Sequence, residues 1–248
     1  MSDSYREQFR QSLENPDEFW REAACDLDWT RAWEKVLDDS NAPFYEWFSG
    51  GEINTCYNAL DRHCEAGRGG QAALIYDSPV TGQVQKFSYD ELLQQVSRFA
   101  GALKNCGVGK GDRVIIYMPM IPQAIISMLA CARIGAIHSV VFGGFAAKEL
   151  ATRILDAEPA LVISASCGIE GSRKIPYLPL LEEALAIAGS QDMQQILVSR
   201  PEMPIEQVPP GAVLWDEAMA GADAAPCEAV SATDPLYILY TSGTTGEP

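Results

Sequence analysis

Arg113-Val114-Ile115-Ile116-Tyr117-Met118, then Pro119 and Pro122 leading into a helical stretch through Ile134, then Ala136-Ile137-His138-Ser139-Val140-Val141: this run decides the fold. Two near-continuous apolar segments flank a helix-length segment. Apolar strands of that kind suit a sheet covered on both faces. Strands separated by helices pair in parallel through right-handed crossovers. The same alternation continues outward. Ala146 to Ala157 reads as a helix, Ala160 to Ser164 as a strand, Pro179 to Ala188 as a helix and Gln195 to Val198 as a strand. Upstream, Ala72 to Tyr76 and Val84 to Phe87 are strand candidates. Ser88-Tyr89-Asp90-Glu91 forms a capping box for a helix whose inner face carries Leu92, Val96, Phe99, Ala100 and Leu103. The fold class is α/β.

Residues 1 to about 60 differ in character and read as a helical N-terminal extension, with 61–248 as the main domain. Asn15-Pro16-Asp17-Glu18 is a helix start, with proline early and acids in the first turn. Trp20, Trp29, Trp33 and Trp47 are expected to pack across the domain that follows. Ile53 to Cys64 reads as another helix. Residues 199–234 hold five prolines and little periodicity, so they read as a surface excursion with one short strand at Val213-Leu214-Trp215.

The chain has 248 residues, 47% of them hydrophobic, which suffices for a substantial core. Its formal charge is −16, from 18 basic and 34 acidic residues, which argues against a nucleic-acid surface. An acidic protein that binds an anion must use local donors such as backbone N–H groups. Seven scattered cysteines without CxxC spacing suggest free thiols in a reducing compartment, most of them buried as small hydrophobes. No apolar signal region opens the chain, and no apolar run is long enough to span a bilayer, so the expected location is cytoplasmic, with no membrane partner.

The last residues supply such donors. Leu236-Tyr237-Ile238-Leu239-Tyr240 is an apolar strand that runs into Thr241-Ser242-Gly243-Thr244-Thr245-Gly246-Glu247-Pro248. Glycines let successive N–H groups curl around an anion, and hydroxyls add uncharged donors. This is not a Walker A loop, which ends in Gly-Lys-Ser/Thr. The stretch resembles the Tyr-Thr-Ser-Gly-Thr-Thr-Gly-x-Pro signature of the adenylate-forming superfamily. Gly111-Asp112-Arg113-Val114 and Ala130-Cys131-Ala132-Arg133-Ile134-Gly135-Ala136 carry the same resemblance. His138-Ser139-Val140-Val141-Phe142-Gly143-Gly144-Phe145 and Trp47-Phe48-Ser49-Gly50-Gly51-Glu52-Ile53-Asn54 look like the short-chain branch, the acetyl- and propionyl-CoA synthetases. The opening Asn15-Pro16-Asp17-Glu18-Phe19-Trp20 looks closer to the propionate enzymes.

The resemblance implies the N-terminal part of the large domain of an AMP-forming short-chain acyl-CoA ligase, with propionate favoured and acetate as the alternative. Its substrates would be Mg-ATP, coenzyme A and a short carboxylate. The carboxylate attacks the α-phosphate and releases pyrophosphate; the CoA thiol then attacks the acyl carbonyl and releases AMP. The resemblance assigns Thr241, Ser242, Gly243, Thr244, Thr245 and Gly246 to the triphosphate, and Phe142, Gly144 and Arg173 to coenzyme A. Glu170 stands where a second basic residue is common. Glu247 sits at a variable position. The family's adenine pocket, magnesium-related glutamate, ribose aspartate and catalytic lysine lie downstream of this loop. No catalytic residue is therefore expected here, and the chain alone is expected to be inactive and to self-associate through surface beside Leu236–Tyr240, or to leave the tail from Thr241 unfixed.

Plainer readings stand beside these. Gly143-Gly144 also reads as a strand-to-helix turn, Arg173 as an ordinary exposed arginine, His138 as a satisfied core histidine and His63 as a surface or capping residue. A truncated, non-catalytic module with residual ligand binding fits the same cut. Two distant histidines give no support to a metal site or a Ser-His hydrolase. A dinucleotide oxidoreductase lacks its GxGxxG loop.

Overall fold

The computed structural model describes residues 3–241. Helices α1 (Asp3–Glu14) and α2 (Pro16–Ala24) open the chain. Pro16 sits in the first turn of α2 with Asp17 and Glu18, where a missing N–H costs nothing and acids meet the positive helix end. Beyond Ala24 the expected helical extension gives way to strands. Strands β1 (Lys35–Asp38) and β2 (Glu46–Ser49) pair antiparallel with Leu37 opposite Trp47, and β3 (Glu52–Ile53) follows. The reason is local. Asp39-Ser40-Asn41-Ala42-Pro43 is a string of turn formers that no helix carries, and the aromatics after it suit a pleated surface. The tryptophans pack mainly on one another rather than across the main domain. Trp29 meets Trp33 at 4.8 Å between ring centroids, and Trp33 meets Phe48 at 5.3 Å. Trp20 and Trp47 stay partly exposed. The helix expected from Ile53 is shorter and wider: two turns with π-type bonding, Tyr57–Asp61 and Cys64–Arg68.

Strands β4 (Ala72–Ser78) and β5 (Gln83–Ser88) form an antiparallel hairpin. Helix α3 (Tyr89–Asn105) starts at the capping box: the Glu91 N–H donates to Ser88 Oγ at 3.2 Å, and the Ser88 N–H donates to the Glu91 carboxylate at 2.8 Å. Then come β6 (Arg113–Met118), α4 (Pro122–Arg133), β7 (Ile137–Phe142), α5 (Ala147–Ala157) and β8 (Leu161–Ala165). A second hairpin, β9 (Cys167–Glu170) with β10 (Arg173–Pro176), precedes α6 (Leu178–Ile187) and β11 (Gln194–Val198). The chain closes with β12 (Ala212–Leu214), α7 (Trp215–Ala220) and β13 (Val230–Ser231).

The central sheet has five strands in the order β12-β11-β8-β6-β7, all parallel. Alternate residues of β6 serve two cores. Val114, Ile116 and Met118 face α3, α4 and α7; Ile115 and Tyr117 face α5 and α6. The excursion after residue 199 carries more order than its prolines suggest. Trp215 opens α7, is buried, and stacks on Phe99 at 3.8 Å. Strand β13 returns to β3 with Val230 opposite Ile53, and so ties the excursion to the N-terminal extension. Leu236–Tyr240 is less regular than a strand. It lies parallel to β7 through a single bridge, Tyr237 to His138, with the Ile238 N–H donating to the His138 carbonyl at 2.9 Å.

Candidate ligand-binding site

The order of the strands creates the site. The connection leaving β6 moves to one side of the sheet and the one leaving β8 moves to the other, and ligands of parallel α/β sheets collect at the carboxyl ends beside such a reversal. A cleft of about 480 Å³ opens there. Met118, Pro119 and Met120 line it from the end of β6, Val140 to Gly143 from β7, Ile169 and Glu170 from β9, and Tyr177, Arg200 and Leu239 complete it.

Its wall is apolar and partly open. Met120, Phe142 and Leu239 are exposed, whereas the middle of β6 is sealed. The polar groups are few and restrained. Burial pushes the Tyr177 hydroxyl up to about 12, so it stays a neutral donor. Arg200 is buried, donates to the Cys167 carbonyl at 3.0 Å and pairs with Glu202 at 3.3 Å, so its charge is already answered. Tyr117, beneath the cleft, donates to the Phe145 carbonyl at 2.9 Å and holds the turn that follows β7.

Of the residues expected to meet coenzyme A, Phe142 lines the cleft, whereas Gly144 and Arg173 lie beside its lining residue Glu170. Phe142 ends β7 and packs edge-on against Phe145 with ring centroids 5.7 Å apart. Gly144 follows, and a Cβ there would sit 2.8 Å from Phe142 Cε1 and 3.0 Å from Glu170 Oε1. A side chain at this position would have to displace the Phe142 ring and the Glu170 carboxylate. Gly143 is packed differently: a side chain there would strike the Tyr177 hydroxyl. Arg173 stands opposite Glu170 across the β9–β10 hairpin, exposed and without an ion pair among the described residues. Glu170 therefore faces Gly144 itself.

Of the phosphate loop only Thr241 is described; Ser242, Gly243, Thr244, Thr245 and Gly246 lie outside the described residues. The segment leading to Thr241 is held in place. Tyr240 Oη donates to Asp156 at 2.6 Å, and the Arg153 guanidinium lies over the Tyr240 and Phe145 rings at 5.2 and 4.8 Å. Leu239 lines the same cleft as Val140 and Phe142, so the chain heads for the cleft end of the sheet.

His138 differs from the satisfied core histidine expected of it. Its ring stacks on Tyr237 at 5.8 Å, yet buried Nδ1 has no hydrogen-bond partner among the described residues. Burial lowers it to about 4, so the ring is neutral near pH 7. His63 packs edge-on against Tyr89 with ring centroids 4.8 Å apart and meets Arg68. Three of the seven cysteines are buried, fewer than the composition suggested. Among the described residues no helix is long and apolar enough to cross a membrane. Tyr177 and Arg200 escaped the sequence reading because they reach the cleft from separate segments.

The sequence pattern of the AMP-binding enzyme family matches residues 60–248, and that of the acetyl-coenzyme A synthetase N-terminus matches residues 5–59. The chain belongs to the AMP-binding enzyme family. It is 51% identical over 245 residues to acyl-CoA synthetase short-chain family member 3, mitochondrial, of Bos taurus, covering 98% of this chain and 36% of that protein. It is 46% identical over 233 residues to acetyl-coenzyme A synthetase of Laribacter hongkongensis, covering 93% of this chain and 35% of the relative. Acetoacetyl-CoA synthetase from Streptomyces lividans superposes with a TM-score of 0.85 at 28% identity, over 96% of this chain and 36% of that one. The chain thus spans about a third of the length of the relatives it matches.

Proposed function

We propose that this chain supplies the coenzyme A rim and the triphosphate loop of an AMP-forming short-chain acyl-CoA ligase, and that the ligase favours propionate. The observation that carries this reading is the cleft at the carboxyl ends of β6 and β7. Phe142, Gly144 and the β9–β10 hairpin bearing Arg173 frame one side, and the anchored segment ending at Thr241 approaches from the other. The apolar lip offers Phe142 to a flat or aliphatic ligand group, and Arg173 offers an unpaired cation to its phosphates. Thr241 to Gly246 would accept the triphosphate of Mg-ATP. In the full-length ligase a carboxylate oxygen bonds to the α-phosphorus as the bond to pyrophosphate breaks. The CoA sulfur then bonds to the acyl carbon, AMP leaves and the thiol proton passes to solvent. Such chemistry rests on positioning and charge neutralisation. The similarity to the mitochondrial short-chain family member supports a short-chain acid as substrate, and the acetyl-CoA synthetases fit the acetate alternative equally.

Two measurements test the reading. This chain alone, with ATP, magnesium and propionate or acetate, should release no pyrophosphate above a protein-free control; turnover would show that the remaining two thirds of the relatives' length is dispensable. In a ligase carrying this segment at full length, Arg173→Ala should raise the KM for coenzyme A about tenfold, the loss of one charge-assisted contact of roughly 1.5 kcal/mol. Pyrophosphate release in the first half-reaction should not change. Equal loss in both halves would assign Arg173 to folding.

A further inference from the structure

A second cluster lies away from the cleft, where the N-terminal extension meets the segment before β13. Cys56 Sγ, an Asp61 carboxylate oxygen and Cys227 Sγ all lie within 4.8 Å of one another. Cys56 is fully buried; Cys227 is half-buried and borders a surface cleft of about 310 Å³ that also touches Asp28, Trp29 and Tyr57. We propose that Cys56 and Cys227 are a redox-active thiol pair that closes to an intramolecular disulfide when a hydroperoxide enters from this cleft.

Three features carry the proposal. The first is pre-organisation. The two cysteines are far apart in sequence, yet their segments are fixed to each other just before Cys56 and just after Cys227. Asn54 Nδ2 donates to the Glu228 carbonyl at 2.7 Å, and β3 pairs with β13 just beyond. A disulfide needs its Cα atoms within about 7 Å, which demands such local rigidity.

The second is the charge beside the sulfurs. Arg133 Nη1 donates to Cys56 Sγ at 3.6 Å, while Cys227 Sγ donates to Asp61 Oδ2 at 3.7 Å. The neighbouring Cys227 sulfur, and then the guanidinium, draw the Cys56 thiol below the usual thiol range. Cys227 is held above that range, chiefly by the same contact with Cys56 and by burial. Cys56 is therefore the sulfur that gives up its proton more readily.

The third is what Arg133 excludes. It pairs with both Asp61 oxygens at 2.8 and 3.0 Å and donates to the Ala225 carbonyl at 2.6 Å. The carboxylate is already engaged, and a fixed cation touches Cys56. A bound metal ion would face that positive charge with only three ligands, one short of a closed zinc site. Two thiols and an arginine suit sulfur oxidation instead.

The balance is simple. Cys56 Sγ, its proton lost to water, attacks a peroxide oxygen that enters past Cys227; the O–O bond breaks and the departing hydroxide takes up that proton, leaving a Cys56 sulfenic acid and water. Cys227 Sγ then attacks the Cys56 sulfur, the S–O bond breaks, and hydroxide leaves with the Cys227 proton as a second water. Two thiols lose two electrons and one hydrogen peroxide is reduced to two waters.

Trypsin places each of the seven cysteines on its own peptide, which makes the test direct. The full chain is treated with hydrogen peroxide, denatured, alkylated with N-ethylmaleimide and digested. Expected is a linked peptide pair bearing Cys56 and Cys227, about 2 Da lighter than the two thiol peptides together, lost on adding dithiothreitol and absent in Cys227→Ser. Cys106→Ser should keep it. Should Cys227→Ser fold poorly, the unaltered chain decides alone. Alkylation of both Cys56 and Cys227 after oxidation overturns the proposal, as does preferential pairing of either with another cysteine. Protection of both thiols by zinc ion without oxidant would also overturn it, in favour of a metal site.

Discussion

Strands β6 and β7 are neighbours in one sheet, yet they live in different surroundings. Val114 to Met118 of β6 are all buried, because helices cover both faces. In β7 only Ser139 and Val141 are; Val140 and Phe142 stand exposed on the other side. Both strands are apolar, so composition does not separate them. Position does: the central strand spends its side chains on stability, and the strand next to it leaves an apolar lip free beside the candidate cleft. A large hydrophobic residue in a sheet thus reads as core or as ligand surface only once its cover is known.

The contrast can be tested most severely at its centre. Ile116→Ala should destabilise the chain by about 2–5 kcal/mol, the range for truncating a well-packed core side chain. Chemical denaturation would measure it; a loss below about 1 kcal/mol would show that β6 is not the sealed strand described. A smaller effect is expected from His138, on β7. Above pH 6.5 the ring is neutral in folded and unfolded chain alike and contributes no pH dependence. As pH falls from 6.5 the unfolded state binds the proton first, because burial holds the folded ring near 4. Stability should drop across that window by about 2 kcal/mol and level off below it. His138→Leu should remove this part of the slope, seen as a flatter midpoint-against-pH curve than that of the parent chain. The smallest effect on stability belongs to Phe142→Ala, within about 0.5 kcal/mol, yet the same change should weaken coenzyme A binding in a full-length ligase. A large loss of stability there would sink the assignment of Phe142 to ligand surface.

Legibility followed the range of the interactions. The run from β6 to β8 was readable to within a residue or two, since continuous apolar strands, Pro122 at a helix start and the Ser88 capping box are local signals. The β1–β2 hairpin, the β9–β10 hairpin and helix α7 were not. Their short elements carry weak periodicity and are held by distant partners, as Trp215 is by Phe99. In the candidate site, Phe142, Gly144 and Arg173 were named from motifs; Phe142 lines the cleft, and the other two lie beside Glu170. Tyr177 and Arg200 arrive there through topology, which no spacing reveals. The Arg133–Asp61 pair and the Cys56–Cys227 pair are likewise invisible until residues 72 and 171 positions apart are brought together. The loop residues from Ser242 onward lie outside the described residues.

Asn54 has a consequence for modular exchange among these proteins. Its single amide donates to the carbonyls of Ala132, Arg133 and Glu228 and is nearly buried in doing so. One side chain of the N-terminal extension thereby reads the backbone of two separate stretches of the main domain. Main-chain carbonyls are offered by every residue type, so this joint does not depend on the recipient's side chains. An extension grafted from one relative onto another should keep this joint wherever the donor brings an asparagine at this position, even if the tryptophans around it have diverged. Recombination at the boundary near residue 60 must also keep the β3–β13 pairing and the burial of Cys56 and Leu60.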